Sequence, residues 1–392
     1  MRVYTYVLIL IALMVILPDL YIYLRFIKNR MKKSIAILHW IFSLFIALSA
    51  TGVLFRSGSV QSPQDNFHIL LYIVTVASIY ISKLVFLTFD LIFYITKKRW
   101  RKIQYAGYAT AFAAFLCFIY AVFFGRFNFG REEYSVEIEG LPNNFDGFKI
   151  VQISDLHLGG FCLNKERLLP LFDMIQEENA DLIVETGDII TNFATEMNGF
   201  EKHFEKIKTK DSMLAIFGNH DYGDYYRWSS QEEKQLNMDS IIAKRKNLGF
   251  KLLRNSSHII EKDGERIAII GVENWGKPPF PQLADITKAK EGTDSVGTKI
   301  LLAHDPDFFK HEVCRHKDIQ LTLSGHTHAS QIGIEIGNFK ISPAQLRFKY
   351  WDGLYKTDNQ TIIVSRGLGC VGMPSRWGMS PSYNVITLRK KK

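Results

Sequence analysis

FKIVQISDLHLGG, residues Phe148 to Gly160, is an apolar, β-prone run that ends abruptly in two metal-ligand residue types. Phe148, Ile150, Val151 and Ile153 predict a buried strand, and Ser154, Asp155, His157 and the glycine pair predict a polar loop at its carboxyl end. Open α/β sheets bind ligands at that end of their strands, and side chains two apart on extended backbone point the same way. Asp155 and His157 are thus placed to grip one ion. A lone DxH arises often by chance, so its weight depends on repetition.

Four further strand ends repeat the pattern in order. Leu182 to Glu185 runs into Gly187 and Asp188, Ala215 to Phe217 into Gly218, Asn219, His220 and Asp221, Ile300 to Ala303 into His304, and Leu321 to Ser324 into Gly325, His326, Thr327 and His328. Of the 11 histidines, His39, His68, His203, His258, His311 and His316 lack this setting. Imidazole, carboxylate and amide oxygen without thiolate suit Mn, Fe or Zn. The five ends deliver Asp155, His157, Asp188, Asn219, His220, His304, His326 and His328, and even with one histidine kept for proton transfer the seven that remain are too many ligands for one ion. They fit two ions sharing a carboxylate, an arrangement that activates water and clamps phosphoryl oxygens. Around these ends the pattern predicts an edge strand at Tyr134 to Ile138 and a crossover helix at Lys165 to Glu178. It also predicts a hairpin turning at Asp263 and Gly264 and a last strand at Asn384 to Leu388.

Charge separates the chain into two parts. Residues 1–130 carry 14 Lys or Arg against 3 Asp or Glu, whereas residues 131–392 carry 34 against 36. The near-neutral second part has no basic excess for a nucleic-acid face, so no nucleic-acid partner is expected. Its cysteines, Cys162, Cys314 and Cys370, form neither a CxxC nor an even set, which excludes a disulfide framework.

The first part predicts four transmembrane helices, at about 4–26, 35–55, 67–95 and 105–124, each long enough to cross the hydrocarbon core. Basic loops after the first and third spans place those loops in the cytoplasm and the following domain outside the plasma (inner) membrane. Asp19, Lys83 and Asp90 are charged residues inside the spans. Asp19 and Lys83 fall at similar depth, which predicts an interhelical ion pair.

With DLH at 155–157, GD at 187–188, GNHD at 218–221, His304 and GHTH at 325–328, the chain resembles the calcineurin-like metallophosphoesterase family over roughly residues 145–390. Its pattern is similar to that of the membrane-anchored bacterial members. The resemblance implies an α/β four-layer sandwich, two β-sheets flanked by helices, occupying residues 131–392 behind an all-α bundle at 1–130. It implies that Asp155, His157, Asp188 and His328 hold one metal and that Asp188, Asn219, His304 and His326 hold the second. His220, paired with Asp221, would be the catalytic acid. The implied activity is that of a metal-dependent phosphoric ester hydrolase acting through a metal-bridging hydroxide. Many relatives continue the last block as GHTHGGQ, whereas here Ala329 and Ser330 precede Gln331, adding side chains where backbone normally approaches closely.

The tether to a bilayer favours a lipid or cell-envelope phosphodiester or phosphomonoester as substrate. One alternative is a UDP-diacylglucosamine-type pyrophosphatase of lipid A synthesis at the cytoplasmic face. Another is a transporter or sensor that keeps the domain only to bind a ligand. For substrate contacts the sequence offers Tyr222, which opens an aromatic stretch, and the tail Ser365 to Ser380. There Arg376 is expected as a phosphate clamp, and Trp377 with Met373 as an apolar contact for lipid.

Overall fold

The computed structural model describes residues 13–57, 60, 62–97, 100–277, 280–337 and 339–391. By internal contact the chain forms a helical unit up to Phe123, which also takes in Gly372–Ser375, and a second unit of Phe124–Val371 with Arg376–Lys392.

Three helices in the first unit, Lys33–Ser57, Pro63–Ile95 and Arg101–Phe123, supply segments long and apolar enough to cross a membrane. The expected first span, Tyr4 to Phe26, lies outside the described residues up to position 12, so three such helices stand where four were expected. From residue 13 the chain is helical and ends in a π-helical turn, Tyr23–Ile27. Two buried carboxylates organise this unit. Asp19 accepts from Lys83 Nζ at 2.6 Å, Tyr80 at 2.9 Å and the Ser43 hydroxyl. Asp90 accepts from Tyr21 at 2.8 Å, Arg25 at 3.1 Å and Gln104 at 2.7 Å. The expected Asp19–Lys83 pair is present, and hydroxyl and amide donors satisfy the carboxylate lone pairs that one cation leaves open.

The second unit is built from strands β1 (Gly130–Ile138), β2 (Lys149–Ile153), β3 (Leu182–Glu185), β4 (Ser212–Ala215) and β5 (Lys251–Leu252). There follow β6 (Ser256–Lys262), β7 (Glu265–Gly271), β8 (Thr298–Leu302), β9 (Leu321–Ser324), β10 (Ile334–Ile336) and β11 (Phe339–Ile341). The last three are β12 (Gly353–Thr357), β13 (Gln360–Val364) and β14 (Ser382–Lys390). One six-stranded sheet runs β1-β14-β2-β3-β4-β5 and the other β12-β13-β9-β8-β7-β6, while β10 and β11 form a separate two-stranded sheet among the described residues. β1 is the expected edge, but it reaches the sheet through the far end of the chain, pairing in parallel with β14. The expected crossover helix is a 3₁₀ turn, Lys165–Leu168, followed by an α-helix, Leu169–Glu177. The β6–β7 hairpin closes over two residues, Asp263 at φ 51° and Gly264 at φ 78°, the left-handed pair that matches strand twist.

Period-two alternation produces the layers. In β2, Ile150 joins Leu182, Leu214, Ile269, Ile300 and Leu323 in a core between the sheets. Val151 and Ile153 point the other way, onto Phe172, Ile175 and Ile241 of the helices covering the first sheet. Ile270, Leu301 and Ile362 likewise pack outward on Phe308, Phe309 and Val313. The result is helix, sheet, sheet, helix. Because β2, β3, β4, β8 and β9 are all parallel within their sheets, each sheet gathers its carboxyl ends at one edge. Gln152 ties the two edges together where they meet, donating to Ser324 O at 2.8 Å and Thr186 Oγ1 at 3.0 Å.

Replacing Lys83 by Met strands the buried Asp19 carboxylate, and removing one partner of such a pair costs about 3–5 kcal/mol. The full-length Lys83→Met protein is therefore expected to melt well below the native protein in detergent. Asp19→Leu combined with Lys83→Met recovers most of the loss.

Candidate metal centre

The strand ends deliver their polar residues through sharply turned backbone. Asp155, His157, Asp188, His326 and His328 have φ of 51°, 42°, 61°, 73° and 51°, in the left-handed region that L side chains rarely enter. Left-handed residues redirect each side chain back across the sheet edge toward the others. Close backbone approach is needed as well. A Cβ on Gly187 would meet Gly218 and His304, and one on Gly218 would meet the Asp188 carboxylate.

Two donor groups result, and they overlap. Asp155, His157, Asp188 and His328 converge on one point, and Asp188, His304 and His326 on a second. In the first, His157 Nε2 and His328 Nε2 are 3.2 Å apart, and Asp155 Oδ1 lies 3.3 Å from His328 Nε2. In the second, Asp188 Oδ2 is 3.2 Å from His304 Nε2, and Asn219 Oδ1 lies 3.1 Å from that nitrogen and 2.7 Å from His326 Nδ1. The far side of the His304 ring is fixed by Thr186 O, 2.8 Å from Nδ1, which aims Nε2 into the site. Asn219 is oriented too, because its amide nitrogen donates to Tyr225 OH at 2.8 Å and so turns its oxygen toward the histidines.

The electrostatics favour cations. Burial holds the imidazoles of His157 and His326 down to about 3 and about 4, and His328 well below the usual range, so their lone pairs stay available. Burial pushes Asp155 up to about 7. Burial also works against ionisation of Asp188, yet the surrounding histidines outweigh it and hold the carboxyl well below its ordinary value. His304 loses stability as a cation through burial, but Asp188 beside it pushes it up to about 10. Buried carboxylates facing the neutral rings of His157, His326 and His328 could hold a metal ion, while His304, raised by Asp188, pairs with that carboxylate as a cation until a metal takes the proton's place.

His220 stands at the rim, partly exposed. Its backbone N–H donates to Asp188 Oδ1 at 2.8 Å, and its Nδ1 is 2.9 Å from Thr191 O. The expected pairing of His220 with Asp221 is not formed. Asp221 instead accepts the backbone N–H groups of Asp188 and Gly218, each at 2.8 Å, and pairs with buried Arg245 at 2.6 Å. Arg245 also donates to Glu185 at 2.7 Å, so one buried cation braces the loops that carry Asp188 and Asn219. Adjacency in GNHD suggests the His–Asp pair, but a buried carboxylate goes to the strongest donors within reach.

The substrate contacts read from the sequence also shift. Arg376 is buried, donating from Nε to Gly369 O at 2.9 Å and from Nη2 to Arg366 O at 2.9 Å. The same Nη2 lies 3.3 Å from His328 Nδ1, behind the ligand ring, so Arg376 supports His328 where a phosphate clamp was expected. Tyr222 is buried with its hydroxyl on Glu273. Within the aromatic stretch Tyr225 takes the wall position, stacked on His220 with ring centroids 4.2 Å apart and against Phe280 at 4.9 Å. Trp377 is half exposed, and its backbone pairs with Ile332. Glu196 was not legible as a site residue. Its buried carboxylate accepts four backbone N–H groups, from Gly159, Thr191, Asn192 and Phe193, and locks the DLH loop to the segment after Asp188.

A sequence model of the calcineurin-like phosphoesterase family matches residues 148–330. The Bacillus subtilis (strain 168) protein named uncharacterized metallophosphoesterase YkuE is 32% identical over 268 residues, 66% of this chain and 84% of that protein. An Aquifex aeolicus (strain VF5) metallophosphoesterase is 26% identical over 66% of this chain and 92% of its own length. A Danio rerio transmembrane protein with metallophosphoesterase domain is 27% identical over 65% of this chain, which spans 56% of that relative.

Elemental analysis of the purified full-length protein is expected to find two metal ions per chain. Asp188→Ala should lose both, and His326→Ala should keep one. Ala329 and Ser330, at φ 46° and 53°, occupy left-handed backbone. Ala329→Gly and Ser330→Gly should each stabilise the protein by roughly 1 kcal/mol, read as a raised Tm with metal content unchanged.

Proposed function

Since the chain belongs to the calcineurin-like phosphoesterase family, we propose that it hydrolyses a phosphodiester or phosphomonoester at a two-metal centre in which Asp188 is the shared ligand. The observation that carries this reading is the overlap of the two donor groups at Asp188. Asp155, His157 and His328 would hold one ion with Asp188, and Asn219, His304 and His326 the other. Bound ions of Mn, Fe or Zn would supply Lewis-acid polarisation and a water acidified toward neutral pH.

The chain's own residues do the rest. Asp188 stays ionised and fixed, since its Oδ1 accepts His220 N–H and its own N–H is given to Asp221. His220 commits Nδ1–H to Thr191 O, which leaves Nε2 as the ring atom that carries a proton toward a leaving oxygen. Tyr225 stacks flat on that ring and limits its rotation, while its hydroxyl holds the Asn219 amide. One aromatic residue thereby orients both the proton donor and a ligand.

The apolar helices tie this activity to a bilayer, which favours a lipid or envelope phosphoester. We place the catalytic domain on the extracytoplasmic side of the plasma membrane, because the basic segments at Lys28–Lys33 and Lys97–Lys102 belong to the cytoplasm by charge bias.

His220→Ala is expected to lower kcat on a chromogenic phosphodiester by about 10²–10⁴-fold while both metals remain bound. Full activity in that variant would remove the proton-donor role. A C-terminal reporter fusion should be active only when the reporter works outside the cytoplasm, and the opposite result would reverse the orientation.

A further inference from the structure

The β10–β11 hairpin has two unlike faces. Its register pairs Ile334 with Ile341, Glu335 with Lys340 and Ile336 with Phe339, so the four apolar side chains share one face and the two charged ones the other. The charged face is fixed to the domain. Arg366 donates to Glu335 at 2.7 Å and to Asp352 at 2.8 Å, and Lys340 pairs with Glu335 at 3.0 Å and Asp352 at 3.1 Å. On the apolar face, by contrast, Ile334, Ile336, Phe339 and Ile341 are 54%, 72%, 61% and 40% exposed. Ile332 and Trp377, bridged in parallel at the base of the hairpin, extend the same face and are 36% and 45% exposed.

A short strand pair with this much outward isoleucine and phenylalanine is an aggregation hazard in water, and soluble edges normally carry lysine or proline instead. We propose that this face is a membrane-contacting surface, its four apolar side chains sinking into the interfacial region of a lipid bilayer with Trp377 at the headgroup boundary.

Three observations select lipid as the occupant. Helices apolar enough to cross a membrane belong to the same chain. Only residues 124–129 separate the end of the helix Arg101–Phe123 from β1, and six residues reach at most about 20 Å. Tryptophan beside aliphatic side chains is the composition of a membrane–water boundary. A second copy of the chain fits less well, because four side chains and a tryptophan fall short of the roughly 800 Å² per partner that a stable protein interface takes.

The hairpin also grows directly out of the metal-binding loop, since β10 begins six residues after His328. Contact at the hairpin would thus keep His328 within about 20 Å of the headgroups. That consequence for substrate choice rests on the phosphoesterase reading; the membrane contact does not.

The test uses full-length protein in proteoliposomes, with Cys117, Cys162, Cys314 and Cys370 replaced. One nitroxide is attached through Ile336→Cys or Phe339→Cys, or through Asp358→Cys as an exposed reference. Labels at 336 and 339 should relax strongly with oxygen and weakly with a water-soluble nickel complex, and the label at 358 should do the reverse. Nickel access at 336 and 339 equal to that at 358 would overturn the proposal. So would shielding from both reagents, which would mean that protein covers the face. In the native background, Ile336→Asp with Phe339→Asp should lower hydrolysis of a vesicle-embedded phosphodiester roughly tenfold or more and leave a soluble chromogenic ester unaffected. If neither ester is hydrolysed by native protein, the phosphoesterase reading fails while the label result still decides the membrane contact.

Discussion

The Asp188 carboxylate is the constraint from which the rest of the domain follows. Its Oδ2 lies 3.8 Å from His157 Nε2 in one sheet's loops and 3.2 Å from His304 Nε2 in the other's. One side chain can serve both donor groups only if the two sheet edges meet with little slack. The four-layer architecture provides this. The inter-sheet core sets the spacing, and buried Gln152 pins β2 to the end of β9. Glu185, Arg245 and Asp221 hold Asp188 from behind, an ion network with no open face. Burial pushes Glu185 up to about 8, with Arg245 pulling the other way. Such a network is costly in desolvation, and its return is positional: it fixes the backbone N–H groups around Asp188.

Backbone conformation tells the same story at a smaller scale. Left-handed residues cost roughly 1–2 kcal/mol each unless they are glycine, yet Asp155, His157, Asp188, His326 and His328 all adopt that conformation. The run continues through Ala329, Ser330 and Gln331, where glycine would relieve the strain. Strain of this extent persists only where surrounding structure over-determines it. Here Thr327 Oγ1 accepts Ala329 N–H, Ser342 donates to Ala329 O, and the Gln331 side chain accepts Val371 N–H. The loop is held from three directions.

The strand ends, the residues that converge there and the Asp263–Gly264 turn were legible in sequence because they follow from local pattern: period-two burial, a glycine at a turn, a histidine after a strand. Partner choice was not. Asp221 stands next to His220 in the chain but turns to Arg245, which arrives from the helix Gln231–Asn247. Arg376 carries the charge expected of a phosphate clamp, but three main-chain carbonyls, of Gly369, Arg366 and Met379, surround its guanidinium. Tyr225 could not be preferred over Tyr222 without knowing which of the two follows the short turn His220–Tyr222 out toward the rim. Each depends on contacts between residues distant in sequence or on the sense of a turn. The amphipathic hairpin escaped notice for a related reason, since Ile334 to Ile341 alternates like any half-buried strand until the tertiary structure leaves one face uncovered.

Buried carboxylates occur in both units, and their partners distinguish their roles. Asp19 and Asp90 each meet a cation plus hydroxyl or amide donors, so every contact supplies a hydrogen atom to a carboxylate oxygen. A carboxylate in that setting is already satisfied and serves to join helices. Asp155 and Asp188 meet ring nitrogens of His157, His304 and His328, and burial keeps His157 and His328 from carrying protons that would satisfy the carboxylates. At His157 and His328, oxygens and neutral ring nitrogens offering lone pairs to one another at 3 to 4 Å are mutually repulsive unless cations lie between them, whereas His304, pushed up to about 10 by Asp188, meets that carboxylate as a donor. The carboxylates of the helical unit are therefore satisfied joints between helices, and those of the second unit are set to meet a metal ion.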